Sequence, residues 1–227
     1  MRLILPQQVT VIIPAYNPPP VLLWLCHDLL DCGYKVVVVD DGSQDKSVIT
    51  QLPVAVDILQ HRFNLGQGAA LETGIKKALQ NGADYIVTFD ADGQHRINDI
   101  EKLLKCLSET NSDVVLGSRF LAAETRKEVP PSKRITLRVG RLFNGLLTGI
   151  WLSDAHNGLR AFTKQVAKKV HFTENRMAHA TEILSLIKKN NWKFTEIPVH
   201  ITYTRKSQHP LRSLEIVIDL FLRKIIP

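Results

Sequence analysis

The sequence predicts an α/β domain: a mostly parallel β-sheet flanked by helices on both faces. Three observations carry this. Short apolar runs rich in Val and Ile recur along the first half of the chain, amphipathic segments separate them, and polar clusters stand where the runs end. Strands buried on both faces read as near-continuous hydrophobic runs, and their alternation with helices favours parallel pairing. Ligands in such sheets bind outside the carboxyl ends of the strands, where these polar clusters converge.

Val9-Thr-Val-Ile-Ile13 is a β-branched run ended by Pro14, and it reads as a buried strand. Val21 to Leu30 has helical spacing, opened by Pro18-Pro-Pro20 and closed near Gly33. Lys35-Val-Val-Val-Val39 is a second strand, stopped by the turn signal Asp40-Asp41-Gly42-Ser43. Val54 to Leu59 reads as a third strand and Gly66 to Leu79 as a helix ended by Asn81-Gly82. Tyr85 to Phe89 is a fourth strand, Ile97 to Leu107 a helix and Val114 to Leu116 a fifth strand. Past residue 120 the alternation lapses. Ala122 to Pro131 reads as a mobile charged loop, and Lys133 to Thr148 as a helix with Arg134, Arg138 and Arg141 on one basic face. Leu159 to Phe162 and Phe194 to Val199 read as strands, Ala180 to Lys189 and Leu211 to Ile226 as helices. No repeat, low-complexity tract or linker intervenes, so the chain divides only into one domain over 1–210 and an amphipathic helix over 211–227.

With 227 residues, 44% hydrophobic and 22% charged, disordered and fibrous classes are excluded. Cys26, Cys32 and Cys106 have no metal spacing and do not make a disulfide scaffold, which fits a reducing cytoplasm. The apolar run at the N-terminus is too short for a signal peptide. Residues 3–27 lack charge but carry five prolines, and Leu142 to Ser153 is too short to span a bilayer. The net charge of +7 is concentrated: residues 119–141 carry +5 and residues 201–227 carry +3, leaving −1 elsewhere. Such patches fit phosphates or lipid headgroups, with ordinary solvated surface as the alternative. Neither basic stretch has the context of a recognition helix, so nucleic acid is not expected as a partner.

Asp90-Ala91-Asp92 places two carboxylates at alternate positions past a buried strand, with Gln94 and His95 following. Hard oxygen ligands of this kind suit Mg²⁺ or Mn²⁺, with the remaining positions taken from a diphosphate. On the tripeptide alone, turn-forming aspartates remain the alternative. Asp40 and Asp41 end another strand on the same edge, where a carboxylate can accept from a base or ribose, or can shape a turn. Asn64-Leu-Gly66-Gln-Gly68-Ala-Ala70 opens a helix with small residues, which allows close backbone approach to an anion. It is neither G-x-G-x-x-G nor a phosphate-binding loop ending in Lys-Ser/Thr, which disfavours dehydrogenases and P-loop enzymes.

Ile13-Pro-Ala-Tyr-Asn17, Val39-Asp-Asp-Gly-Ser43, Asn64 to Gly74, Phe89-Asp-Ala-Asp-Gly-Gln-His95 and Gly117-Ser-Arg119 occur in this order. Together they resemble family 2 inverting glycosyltransferases of the GT-A fold, in the dolichol-phosphate-mannose-synthase-like, polyprenyl-phosphate branch. The resemblance continues through Asp154 to Arg160 and Glu196-Ile-Pro-Val199, covering about residues 8–205. It implies a Rossmann-like sheet and a metal-dependent hexosyltransferase of polysaccharide or cell-wall biosynthesis. The sugar would pass from a UDP- or GDP-sugar to polyprenyl phosphate or a lipid-linked glycan.

The resemblance further implies that Asp90, Asp92 and Gln94 hold the metal against the diphosphate. Pro14, Ala15, Tyr16, Asp40, Asp41, Gly68 and Ala91 line the nucleotide-sugar pocket. The resemblance implies that Arg119 lies near the transferred sugar and acceptor phosphate, and that Arg160 and the Tyr203-Thr-Arg205 element belong to the acceptor site and active-site lid; Arg138, on the basic helix face, is expected to bind the acceptor as well. If the acceptor is a hydroxyl, a general base is required, and Asp154 or Glu182 would serve; a phosphate acceptor needs none. Two departures stand out. Pro18 replaces a frequent acidic residue, and Lys206-Ser-Gln-His209 replaces Gly-x-Ser-Lys, which leaves the acceptor class open. Transfer to a soluble or protein-linked saccharide is the alternative activity, and a non-catalytic nucleotide-sugar-binding protein is the alternative class. A peripheral location at the inner face of the cell membrane is expected, with residues 211–227 meeting the membrane surface, a second protomer or a small membrane protein.

Overall fold

The computed structural model describes residues 3–129, 131–154, 157–172 and 179–203. Seven strands form one sheet: β1 (Val9–Ala15), β2 (Lys35–Asp40), β3 (Asp57–Gln60), β4 (Tyr85–Thr88), β5 (Val114–Ser118), β6 (Arg160–Thr163) and β7 (Phe194–Pro198). Their order across the sheet is β3-β2-β1-β4-β6-β5-β7. All adjacent pairs are parallel except those of β6, which runs antiparallel to β4 and to β5. Reversing one strand brings residues 157–159 and Arg160, the first residue of β6, to the same edge as the carboxyl ends of β4 and β5.

The helices are α1 (Val21–Asp31), α2 (Gln67–Gln80), α3 (Asn98–Thr110), α4 (Ala123–Glu128), α5 (Pro131–Thr148), α6 (Lys164–Ala167) and α7 (His179–Lys189). The strand period of two sorts the core into two layers. Val11, Ile13, Val36 and Val38 face α1 and α3 through Leu22, Leu29, Ile100 and Leu103. Ile12, Val37 and Val39 face the other way, where Leu71 and Ile75 of α2 join Ile183 and Ile187 of α7. Both faces of the central strands are therefore covered, as their unbroken apolar runs predict.

Three local expectations need correction. The third strand starts at Asp57 and not at Val54, because a turn closed by Val56 N–H to Pro53 O leaves Val54 fully exposed. The segment expected as a mobile loop from Ala122 contains α4, tied down by Thr125 Oγ1 to Ala122 O and by Arg134, whose guanidinium donates to Val129 O and Lys127 O. The short helix α6 was not anticipated; Thr163 Oγ1 caps it by accepting from Val166 N. The expected terminal helix over 211–227 lies outside the described residues. No helix among the described residues is long and apolar enough to cross a membrane.

Candidate functional site

The ends of β1 and β2 are bound to each other. Asn17, in a left-handed conformation with φ 45°, donates its N–H to Ser43 Oγ, and its side-chain oxygen accepts from Gln44 N and Asp45 N. Pro14 and Ala15 close β1, and Tyr16 is exposed just beyond them. Asp40 is wholly buried; its Oδ1 accepts from Ser43 N at 2.9 Å, while Oδ2 has no hydrogen-bond partner among the described residues. An unmatched buried carboxylate oxygen at a sheet edge is a place for a ligand donor. Asp41 differs. Its oxygens accept from Leu65 N (2.9 Å), Gly66 N (2.7 Å) and the His61 ring (2.7 Å). Asp41 thus shapes the loop entering α2, whose first turn holds the buried Gly68.

Asp90 and Asp92 follow β4. Asp90 Oδ1 accepts from Gln67 Nε2 at 3.2 Å, and Oδ2 pairs with His95 Nε2 at 3.1 Å. A Cβ at Gly158 would come within 2.5 Å of the Asp90 carboxylate, so a larger residue there would push that carboxylate aside. Asp92 opens to solvent at one side but is ringed by protein; burial raises its carboxyl above the usual range, and the neighbouring charge of Asp90 adds to the rise. Ala91 lies between them, half-buried. Gln94 donates its N–H to Asp92 Oδ1 and accepts from Thr202 N through its carbonyl. Among the described residues no group of three or more His, Cys, Asp or Glu could hold a metal. Two mutually repelling hard carboxylates nevertheless fit Mg²⁺ or Mn²⁺ whose other ligands come from a diphosphate.

Arg119, just past β5, makes a bidentate pair with Asp154: Nε to Oδ2 at 2.5 Å and Nη2 to Oδ1 at 2.7 Å, with the Arg119 N–H also on Oδ2 at 3.1 Å. Burial opposes the Arg119 charge, but Asp154 and then Tyr203 outweigh it and hold the group above its ordinary pKa. Glu196 of β7 supports the acid from behind, accepting from Ser153 N, Ser153 Oγ and Asp154 N. Arg160 is buried at the start of β6, where its Nε donates to Asn157 O. Burial pushes its guanidinium down to about 10, against the pull of Asp90 and Asp154, so it stays charged at neutral pH. It sits within reach of both acids and joins the two halves of the site.

Arg138 is exposed on α5 and lines a cavity of about 320 Å³ with Phe120, Arg126, Leu137, Arg141 and Ser153. Glu182 stands half-buried in the first turn of α7, and Arg205 lies outside the described residues. The structure therefore gathers Asp40, Asp90, Asp92, Arg119, Asp154, Arg160 and Tyr203 along one edge. Sequence reasoning assigns no role to Glu196 or Gln67. The signal for Glu196 is a carboxylate in the middle of a strand otherwise read as apolar, where a half-buried acid needs donors.

The profile of glycosyl transferase family 2 matches residues 10–171. An uncharacterised protein of Methanocaldococcus jannaschii is 35% identical over 96% of this chain and 93% of its own length. The UDP-N-acetylglucosamine–dolichyl-phosphate N-acetylglucosaminyltransferase of Methanococcus voltae is 31% identical over 95% of this chain and 94% of its own. Among solved structures, the glucosyl-3-phosphoglycerate synthase of Mycobacterium tuberculosis, in complex with Mn²⁺, UDP and glucosyl-3-phosphoglycerate, superposes with a TM-score of 0.60. It is 16% identical, covers 92% of this chain and 75% of that one, and shares the fold.

Proposed function

The chain belongs to glycosyl transferase family 2, and from that premise we propose that it is an inverting, metal-dependent transferase moving a sugar from a nucleotide-diphosphate sugar to a polyprenyl phosphate. The Arg119–Asp154 pair carries this reading. Both carboxylate oxygens of Asp154 are committed to the guanidinium, so it is a poor proton acceptor and a good anchor for a cation facing an anionic acceptor. A phosphate oxygen is already a nucleophile and needs no base. The similarity to the M. voltae enzyme, whose name specifies a dolichyl-phosphate acceptor, supports the same class.

Asp40 Oδ2 takes a donor hydrogen from the nucleoside, and Pro14, Ala15 and Tyr16 wall the pocket. Asp90 and Asp92, with Gln94 beside them, would hold Mg²⁺ or Mn²⁺, which would supply charge stabilisation to the departing diphosphate. Arg160, between Asp90 and Asp154, faces charge from donor and acceptor alike. Arg119 and Tyr203 orient the acceptor phosphate, and Arg138 and Arg205 add positive charge around it. The acceptor oxygen attacks the anomeric carbon as its bond to the diphosphate breaks, inverting that centre. Such an enzyme works at the cytoplasmic face of a bilayer.

The test is a panel of UDP- and GDP-sugars with Mg²⁺ or Mn²⁺, scored for hydrolysis and then for transfer to polyprenyl phosphate. Metal-dependent transfer to the phosphate from one donor is expected. Transfer to saccharide hydroxyls alone would replace the acceptor class and bring Asp154 or Glu182 back as base. Binding of nucleotide sugars without turnover in any combination would make the chain a binding protein.

A further inference from the structure

We infer that the outward face of α5, together with Trp151, rests on an anionic lipid surface, so that α5 and not only the chain terminus sets the enzyme on the bilayer. The inference builds on the lipid-phosphate reading above and adds where the lipid lies. Gly140, Asn144 and Thr148 recur every four residues and are buried, and Asn144 Oδ1 accepts from Thr181 Oγ1 of α7 at 2.5 Å. This is the packing face of α5. Val139, Leu142 and Leu146, spaced by three and four, lie on the opposite side, and all three are exposed, Leu146 by 71%. An apolar stripe turned away from the protein has no packing partner within the described fold.

Its surroundings point to lipid. Trp151, 60% exposed, lies against Gly145, where an added Cβ would come within 2.6 Å of the indole. The helix backbone thus offers the ring a seat at the edge of the stripe. Aromatic rings of this kind favour the headgroup level of a bilayer, with one side apolar and one wet. Arg138 and Arg141 flank the stripe on the side of the cavity they share with Arg126 and Ser153. Among the described residues none of these three arginines takes part in an ion pair. Unneutralised arginines beside an apolar stripe are complementary to anionic headgroups above acyl chains. The cavity opens where a phosphate held at headgroup depth would enter, and Ser153 joins it directly to Asp154 and Glu196.

The experiment uses the full chain. Wild type is expected to float with vesicles of phosphatidylglycerol and phosphatidylcholine and to float poorly with phosphatidylcholine alone. Leu142→Glu/Leu146→Glu is expected to lose about tenfold or more of the vesicle-bound fraction. The same variant keeps wild-type transfer to a short-chain, water-soluble polyprenyl phosphate. In a Trp24→Phe/Trp192→Phe background, Trp151 emission is expected to shift to the blue on adding anionic vesicles, a readout that does not depend on the charge variant folding. Unchanged flotation of the variant, an unmoved Trp151 spectrum, or sedimentation showing the stripe buried in a dimer would each overturn the inference. So would loss of all binding on deleting 211–227 with no loss in the face variant. Flotation as expected with no transfer to any acceptor would instead overturn the proposed function and leave the lipid-facing surface standing.

Discussion

The half of the site built by β1, β2 and β4 differs in kind from the half built by β5, β6 and β7. On the side we propose for the donor, carboxylates are held in place but left short of partners: among the described residues Asp40 Oδ2 is buried and unmatched, and desolvation beside Asp90 raises the pKa of Asp92. On the side we propose for the acceptor, Arg119 is already balanced by Asp154, with the 153–154 backbone held by Glu196. A buried acid without a cation is an incomplete site, and a buried pair is a complete one. The proposed donor half therefore requires its ligand to become electrostatically whole, whereas the proposed acceptor half is pre-formed, with Arg119 already held in place by Asp154. Arg160 feels acids from both sides, Asp90 and Asp154.

Breaking the donor half should do the most damage to catalysis. Asp92→Ala removes one of two carboxylates for the metal and touches no core residue. Transfer is expected to fall at least about a hundredfold with the melting temperature nearly unchanged. EDTA should do the same to wild type; full activity in either case would remove the metal from the donor half. Asp40→Ala comes next. It deletes the unmatched oxygen and the Ser43 N–H acceptor together, and a charge-assisted hydrogen bond contributes about 1.5–3 kcal/mol. Donor affinity by calorimetry should weaken by about ten- to a hundredfold, with acceptor KM unmoved. A change in acceptor KM alone would mean that the two halves had been divided wrongly.

Asp154→Asn tests the balanced half. The Arg119 side chain is 12% exposed and that of Asp154 1%, so removing the acid leaves a nearly buried cation unpaired. Stability in urea should fall by about 3 kcal/mol. Folded protein should nevertheless keep transfer to polyprenyl phosphate within about tenfold, since no proton has to be removed. A loss of a hundredfold or more with donor binding intact would restore Asp154 as a base.

The same division explains what could be read from sequence. The β1–α3 half follows a regular alternation, so its strands, its helices and the polar residues at its edge are visible in the spacing of Val, Ile, Gly and Asp. Beyond Leu116 the spacing still marks α5, β6, α7 and β7, but α4, α6 and the contacts that place the charged residues carry no such signal. The end of α4 is held by Arg134 reaching back five residues to Val129 O, and the place of Asp154 depends on Glu196, 42 residues away. Asp41 shows a further limit. It and Asp40 are adjacent and chemically identical, yet one carboxylate is saturated by loop donors and the other keeps an open oxygen.

That contrast supports one more prediction, with the smallest effect. His61 links Asp41 Oδ1 (2.7 Å) to Thr73 Oγ1 (3.0 Å), and so ties the loop before α2 to the helix itself. Asp41 also accepts from Leu65 N and Gly66 N, which fix the same loop without help from the ring. His61→Ala therefore removes two of the loop's side-chain links but leaves the two amide bonds that aim Gly66 and Gly68 towards the donor. A net hydrogen bond contributes about 1 kcal/mol, so donor KM should rise only severalfold while kcat and acceptor KM hold. His61→Gln, which can restore one of the links, should recover part of that. Asp41→Ala should cost more than His61→Ala, because it releases both amides at once. If His61→Ala abolished donor binding, the ring and not the amide bonds would be setting the loop, and the donor half would depend on a contact lying behind the pocket it presents.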